Sequence, residues 1–110
     1  METQIPVAVN CPECGGPLLA VEQADPHELR CLVGHTFSLR SVLQAHSERQ
    51  ENLLWGAVAA LLEAANLVEW VAAQVDDELA ARLRGQSETK LRQAAEIRRM
   101  IEQMEPFDLE

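Results

Sequence analysis

From Glu48 onward the apolar positions fall into a helical rhythm and hold it almost to the end of the chain. Leu54, Val58, Leu61, Ala65, Val68, Ala72 and Val75 alternate steps of four and three residues, a heptad seam sustained over three repeats. Asp76 or Asp77 then offers a fresh N-cap, and Glu78 places negative charge in a first turn, where the helix dipole favours it. A second apolar run follows through Leu79, Leu83, Leu91, Ala94, Ile97, Ile101 and Met104, with Gly85 as its weak point and Pro106 as its stop. The pattern predicts helices over about 48–75 and 77–104 folded into an antiparallel hairpin, with 106–110 as a frayed tail. Ser38 is suited to cap a short helix over 39–45, and Ser47 with Gln50 repeats the capping signature. The chain therefore either kinks near His46 or runs straight through it.

The first 37 residues follow a different rhythm. Residues 1–10 read as an extended lead-in, with Pro6 keeping Ile5 out of the helical region. Leu18-Leu19-Ala20-Val21 and Glu28-Leu29-Arg30-Cys31 are short, strand-like runs on either side of an Asp25-Pro26 turn, which predicts a β-hairpin. The expected class is α+β, mostly α: a small β-hairpin unit over 1–37, then a long helical hairpin over 38–105.

A ribbon of this size buries too little apolar surface to hold itself, so a metal staple is the expected remedy. The candidate ligands are present. Cys11-Pro12-Glu13-Cys14 and Cys31-Leu32-Val33-Gly34-His35 form C-x2-C and C-x3-H pairs, each short enough for one turn of backbone to deliver two ligands. Gly15, Gly16 and Gly34 stand where the chain must bend sharply near sulfur. Cys11, Cys14, Cys31 and His35 are the expected ligands of one closed, structural Zn2+ site. A redox C-x-x-C pair would need a βαβ context that the sequence lacks. A disulfide would leave the third cysteine over. His27 is the rival for the histidine position, but Ala24-Asp25-Pro26-His27 reads as a turn tip aimed away from the metal, and His46 has no ligand spacing.

Charge narrows the range of partners. Eighteen acidic residues against nine basic ones leave a formal charge of −9, which argues against a nucleic-acid surface. Residues 48–76 carry five acids and one Arg, whereas 79–104 carry six bases and three acids, a modest reason for the two helices to be neighbours. Met1-Glu2-Thr3-Gln4-Ile5 has neither a charged nor an apolar leader pattern, so the expectation is a cytoplasmic protein. Beyond its seam the first long helix shows Leu53, Trp55, Ala57, Leu62, Leu67, Trp70 and Val71, more apolar surface than one partner helix covers. Glu63 and Asn66 near its centre argue against a membrane span. Trp55, Leu62, Trp70 and Val71 are therefore the expected interaction surface, for another protein or for a second copy in a four-helix arrangement.

The segments C-P-E-C-G-G, R-C-L-V-G-H-T-F-S, L-W-G-A-V-A-A-L-L-E, L-A-A-R-L and I-R-R-M-I, between Cys11 and Met104, resemble the C-terminal region of bacterial chemotaxis methylesterase-like (CheB-type) proteins. There, a cysteine-rich ribbon ending in C-x-V-G-H precedes an Ala/Leu-rich helical hairpin. The esterase chemistry of those relatives belongs to a separate Ser/His/Asp domain that a chain of this length does not include. Ser38, Ser41, Ser47 and Ser87 lie at helix or cap positions, and no G-x-S-x-G turn presents any of them. The resemblance implies a free-standing, non-catalytic accessory module from a chemosensory or signalling setting. The alternatives are a nucleic-acid-binding zinc ribbon, with Arg82, Arg84, Lys90, Arg92, Arg98 and Arg99 as its basic stripe, or a redox-responsive zinc regulator.

Overall fold

The structure, a computed structural model, describes residues 3–21 and 27–107. Four strands precede two helices: β1 (Gln4–Asn10), β2 (Pro17–Val21), β3 (Glu28–Cys31), β4 (Thr36–Ser38), α1 (Leu39–Ala72) and α2 (Asp77–Gln103). The fold is α+β and mostly α, as the pattern predicts. The described chain divides into two compact units, one running to Arg49 and the other from Gln50 to Glu105.

In the first unit the strands form an antiparallel meander in the order β1-β2-β3-β4. The extended lead-in is thus a strand, paired with β2. Pro6, opposite Leu19, lies on the edge strand, where its missing N–H costs the ladder least, and the register shifts between Pro6 and Asn10. The register sets Leu18 opposite Cys31 and Leu29 opposite Phe37, so the period-two alternation directs these side chains to one face. Cys11, Leu18, Cys31 and Phe37 form the core there, closed by Val42 from the first turns of α1 and flanked by Val7, Leu29 and Ala45. Two of the three thiols are therefore core residues. The Asp25-Pro26 turn lies outside the described residues.

α1 begins at a reciprocal serine cap: the Ser41 N–H donates to Ser38 Oγ at 3.1 Å, and the Ser38 N–H donates to Ser41 Oγ at 2.9 Å. It then continues unbroken to Ala72, so of the two courses left open at His46 the chain takes the straight one, and the segments over 39–45 and 48–75 belong to one 34-residue helix. Ala45-His46-Ser47-Glu48 contains no glycine or proline to stop propagation, and Ser47 stays within the turn instead of capping a new one. His46 is held from outside the helix, its Nε2 lying 3.2 Å from the Asn10 carbonyl oxygen, which can only accept.

In the second unit the Asp76 side chain accepts from the Leu79 N–H at 2.8 Å and starts α2, with Asp77 and Glu78 in the first turn. Val58, Ala94 and Ile101 form the shared core, with Leu54, Leu61, Ile97 and Met104 packed against them. The α2 seam differs from the expected one. Its buried residues are Ala80, Ser87, Ala94 and Ile101, spaced by sevens, whereas Leu91 faces solvent. Small side chains at three of these positions allow closer helix approach than leucines would. Glu69 of α1 and Arg84 of α2 add an exposed ion pair at 3.4 Å, a contact of small energetic weight at this exposure.

Gly85 lies within α2 with open space where a Cβ would stand. Gly85→Ala is expected to stabilise the helical hairpin by about 1 kcal/mol, and Asp76→Ala to destabilise it by about 1 kcal/mol. Urea unfolding followed by helical circular dichroism measures both.

Candidate metal centre

Each ligand pair sits on a tight backbone loop with the same logic. In the first, the Gly15 N–H donates to the Cys11 carbonyl at 2.8 Å and the Cys11 N–H donates to the Gly16 carbonyl at 2.6 Å. In the second, the Gly34 N–H donates to the Cys31 carbonyl at 3.1 Å and the Cys31 N–H to the His35 carbonyl at 3.0 Å. Both loops turn through a glycine with positive φ, Gly15 at 77° and Gly34 at 109°. These are the only described residues that adopt this region, and a side chain at the Gly34 angle would be strained even though the surrounding space is open. The β2–β3 ladder then brings the end of β3, at Cys31, beside Leu18, close to the first loop.

The four expected ligands converge. One donor atom from each of Cys11, Cys14, Cys31 and His35 lies within 4.8 Å of all the others. Cys14 Sγ and Cys31 Sγ are 3.7 Å apart, and His35 Nδ1 is 3.2 Å from Cys31 Sγ and 3.8 Å from Cys11 Sγ. A tetrahedral zinc with bonds of about 2.3 Å to sulfur and about 2.0–2.1 Å to nitrogen sets its sulfurs roughly 3.8 Å apart, and sulfur and nitrogen roughly 3.6 Å apart. The donor set and its spacing fit a single metal ion of that kind. They do not fit a disulfide, since 3.7 Å between sulfurs far exceeds the bond length of about 2.05 Å.

The local field prepares one sulfur in particular. Burial pushes the Cys31 thiol up, but the backbone N–H groups of His35 and Val33, then the His35 ring and Cys14, outweigh it and bring the thiol down to about 6. The His35 N–H stands 3.3 Å from this sulfur. At Cys14 the backbone N–H of Gly16 pulls the thiol down, and desolvation together with the sulfurs of Cys11 and Cys31 pushes it up past that. Metal aside, Cys31 thus offers a thiolate at neutral pH, the form that binds metal. Cys11 and Cys31 are buried, His35 is half-buried and Cys14 is exposed, so the cluster opens to solvent on the Cys14 side.

The other two histidines stand apart from the cluster. His27 is exposed and lines a shallow apolar groove with Ile5, Val21, Leu29 and Leu39. His46 contacts Asn10, as described above. Glu13, which the motif alone gives no role, stands at the cluster: its Oε2 lies 3.2 Å from His35 Nε2, on the side of the ring away from the thiols. Its position inside C-P-E-C, one residue before a ligand, was the available signal. Among the expected interaction residues, Trp55 and Leu62 are about as exposed as each other, Trp70 is 67% exposed, and Val71 is half-buried.

No protein-family model, curated protein or solved structure matches this chain.

Proposed function

We propose that the chain is a non-catalytic zinc module whose metal holds the β-unit together and whose helical hairpin serves protein–protein interaction. The observation that carries the reading is the convergence of three sulfurs and one ring nitrogen within 4.8 Å. That donor set suits zinc above harder cations, which prefer oxygen. Four protein ligands leave no open coordination position for a substrate or an activated water, so the ion's contribution would be structural. The resemblance to CheB-type C-terminal regions supports a chemosensory or signalling setting in the bacterial cytoplasm, with the module acting apart from any esterase domain.

The hairpin supports the interaction half of the proposal. Outside the seam with α2, α1 carries a second stripe, Leu53, Ala57, Ala60, Ala64, Leu67 and Val71, again in steps of four and three. Leu53 and Leu67 are both 61% exposed, and Trp70 lies at the border of this stripe. An apolar heptad stripe facing water is the form that a helix takes when it awaits another helix. By length and composition alone α1 could also cross a membrane. Protein is the better cover. Glu63 stands near the middle of the helix, where an acid costs about 2.5–3.5 kcal/mol, and the six bases of α2 would have to part from their partner or enter with it.

The test of the zinc half is metal content. The purified chain is expected to hold one zinc ion with no titratable free thiol. Cys31→Ser should lose the metal and the β-unit while helical circular dichroism largely persists, because α1 and α2 carry their own core. Full zinc occupancy in that variant would overturn the ligand set. For the hairpin, light scattering of the wild-type chain is expected to show concentration-dependent association that Leu67→Lys abolishes. A strict monomer at high concentration removes the second copy as the partner.

A further inference from the structure

We infer that Glu13 is a positioning residue for the metal centre: its carboxylate holds the Nε2–H form of His35, leaving Nδ1 as the ligand atom. The inference rests on the metal reading above and adds to it which ring nitrogen binds and what selects it.

The imidazole of His35 is addressed from both sides. Nδ1 faces Cys31 Sγ at 3.2 Å and Cys11 Sγ at 3.8 Å, whereas Nε2 faces Glu13 Oε2 at 3.2 Å. An ionised carboxylate only accepts, so the nitrogen facing it must carry a proton. In a neutral imidazole the other nitrogen then has a free lone pair, and that nitrogen is the one among the sulfurs. A metal-ligating histidine needs this arrangement, in which the non-ligating nitrogen donates to an acceptor that fixes both tautomer and ring angle.

Chain geometry makes Glu13 available for the task. It lies within the first ligand loop, between Cys11 and Cys14, and reaches across to a ligand of the second loop. The contact ties the two loops together through something other than the ion. It is not a strong stabiliser in itself, because the Glu13 side chain is 60% exposed and that of His35 is 35% exposed, where solvent screens the pair. Its effect falls on ring orientation and therefore on metal affinity more than on folding.

Three forms of the full chain test this: wild type, Glu13→Ala and Glu13→Gln. Zinc affinity by competition with a chromophoric chelator is expected to fall about 10- to 100-fold in Glu13→Ala. Glu13→Gln should restore most of it, since the amide oxygen still accepts from Nε2–H. In nitrogen-15 NMR of the zinc-loaded wild type, the His35 ring should show a proton on Nε2 and metal on Nδ1, with the Nε2–H exchanging faster in Glu13→Ala. Zinc bound through Nε2, or unchanged affinity and ring-proton exchange in Glu13→Ala, would overturn the assignment while leaving the zinc site intact. A wild-type chain that takes up no zinc would overturn both. Should Glu13→Ala fold poorly, Glu13→Gln decides on its own: a protonated Nε2 with near-native affinity supports the inference, and a switch to the other tautomer overturns it.

Discussion

Three sulfurs and a ring nitrogen lie within 4.8 Å of one another, a cluster that could hold a single metal ion. Thiols can share weak hydrogen bonds at this distance, but once ionised they repel. Cys31 is already biased towards the thiolate by the backbone N–H groups around it. The same residues are also the core. Cys11 and Cys31 pack with Leu18, Phe37 and Val42, and the described β-unit has no larger apolar cluster to replace them. Ligand geometry and hydrophobic burial are therefore one constraint in this unit, and a substitution at Cys11 or Cys31 damages both at once. Metal binding at this cluster, as proposed, would be coupled to folding of the unit.

The helical unit rests on different physics. α1 and α2 meet along a seam in which Ala80, Ser87 and Ala94 take the places where a coiled coil would put leucine. Small residues at a seam permit close approach and bury less apolar area per turn. α1 puts Leu54, Val58 and Leu61 into that seam and leaves Leu53, Leu67 and Trp70 in solvent. The hairpin therefore has a cohesive seam and, on α1, a further set of large apolar side chains in water, a face that gains from being covered.

Much of this was legible in the residue order, and the rest failed for identifiable reasons. The pairing of the four side chains could be read because C-x2-C and C-x3-H spacings are enforced by short loops and do not depend on distant contacts. The helices could be read from their period and from the cap at Asp76. β1 was hidden because Gln4–Asn10 carries a proline and an exposed, weakly alternating pattern that only pairing with β2 turns into a strand. The α2 seam was misplaced at Leu91, and Ala80 and Ser87 were missed, because a hydrophobicity count prefers leucine, while close packing here prefers small side chains. Continuity through His46 could not be chosen from two overlapping cap signatures. A cap forms only where a helix has already stopped, and nothing between Ala45 and Glu48 stops it.

Glu13 shows the same limit at the site. Its role as a partner of His35 Nε2 depends on two loops meeting across the sheet, and no local spacing rule connects residue 13 with residue 35. The ligands declare themselves through covalent neighbours, whereas the group that orients a ligand declares itself only in three dimensions. A C-x-x-C loop fixes two sulfurs with little freedom of backbone, so it needs no outside support. An imidazole at the end of a C-x3-H loop can still rotate about its side-chain bonds and present either nitrogen. The least determined ligand in the set is also the one with a carboxylate held against it, and that is where support from outside the ligand set has the most effect.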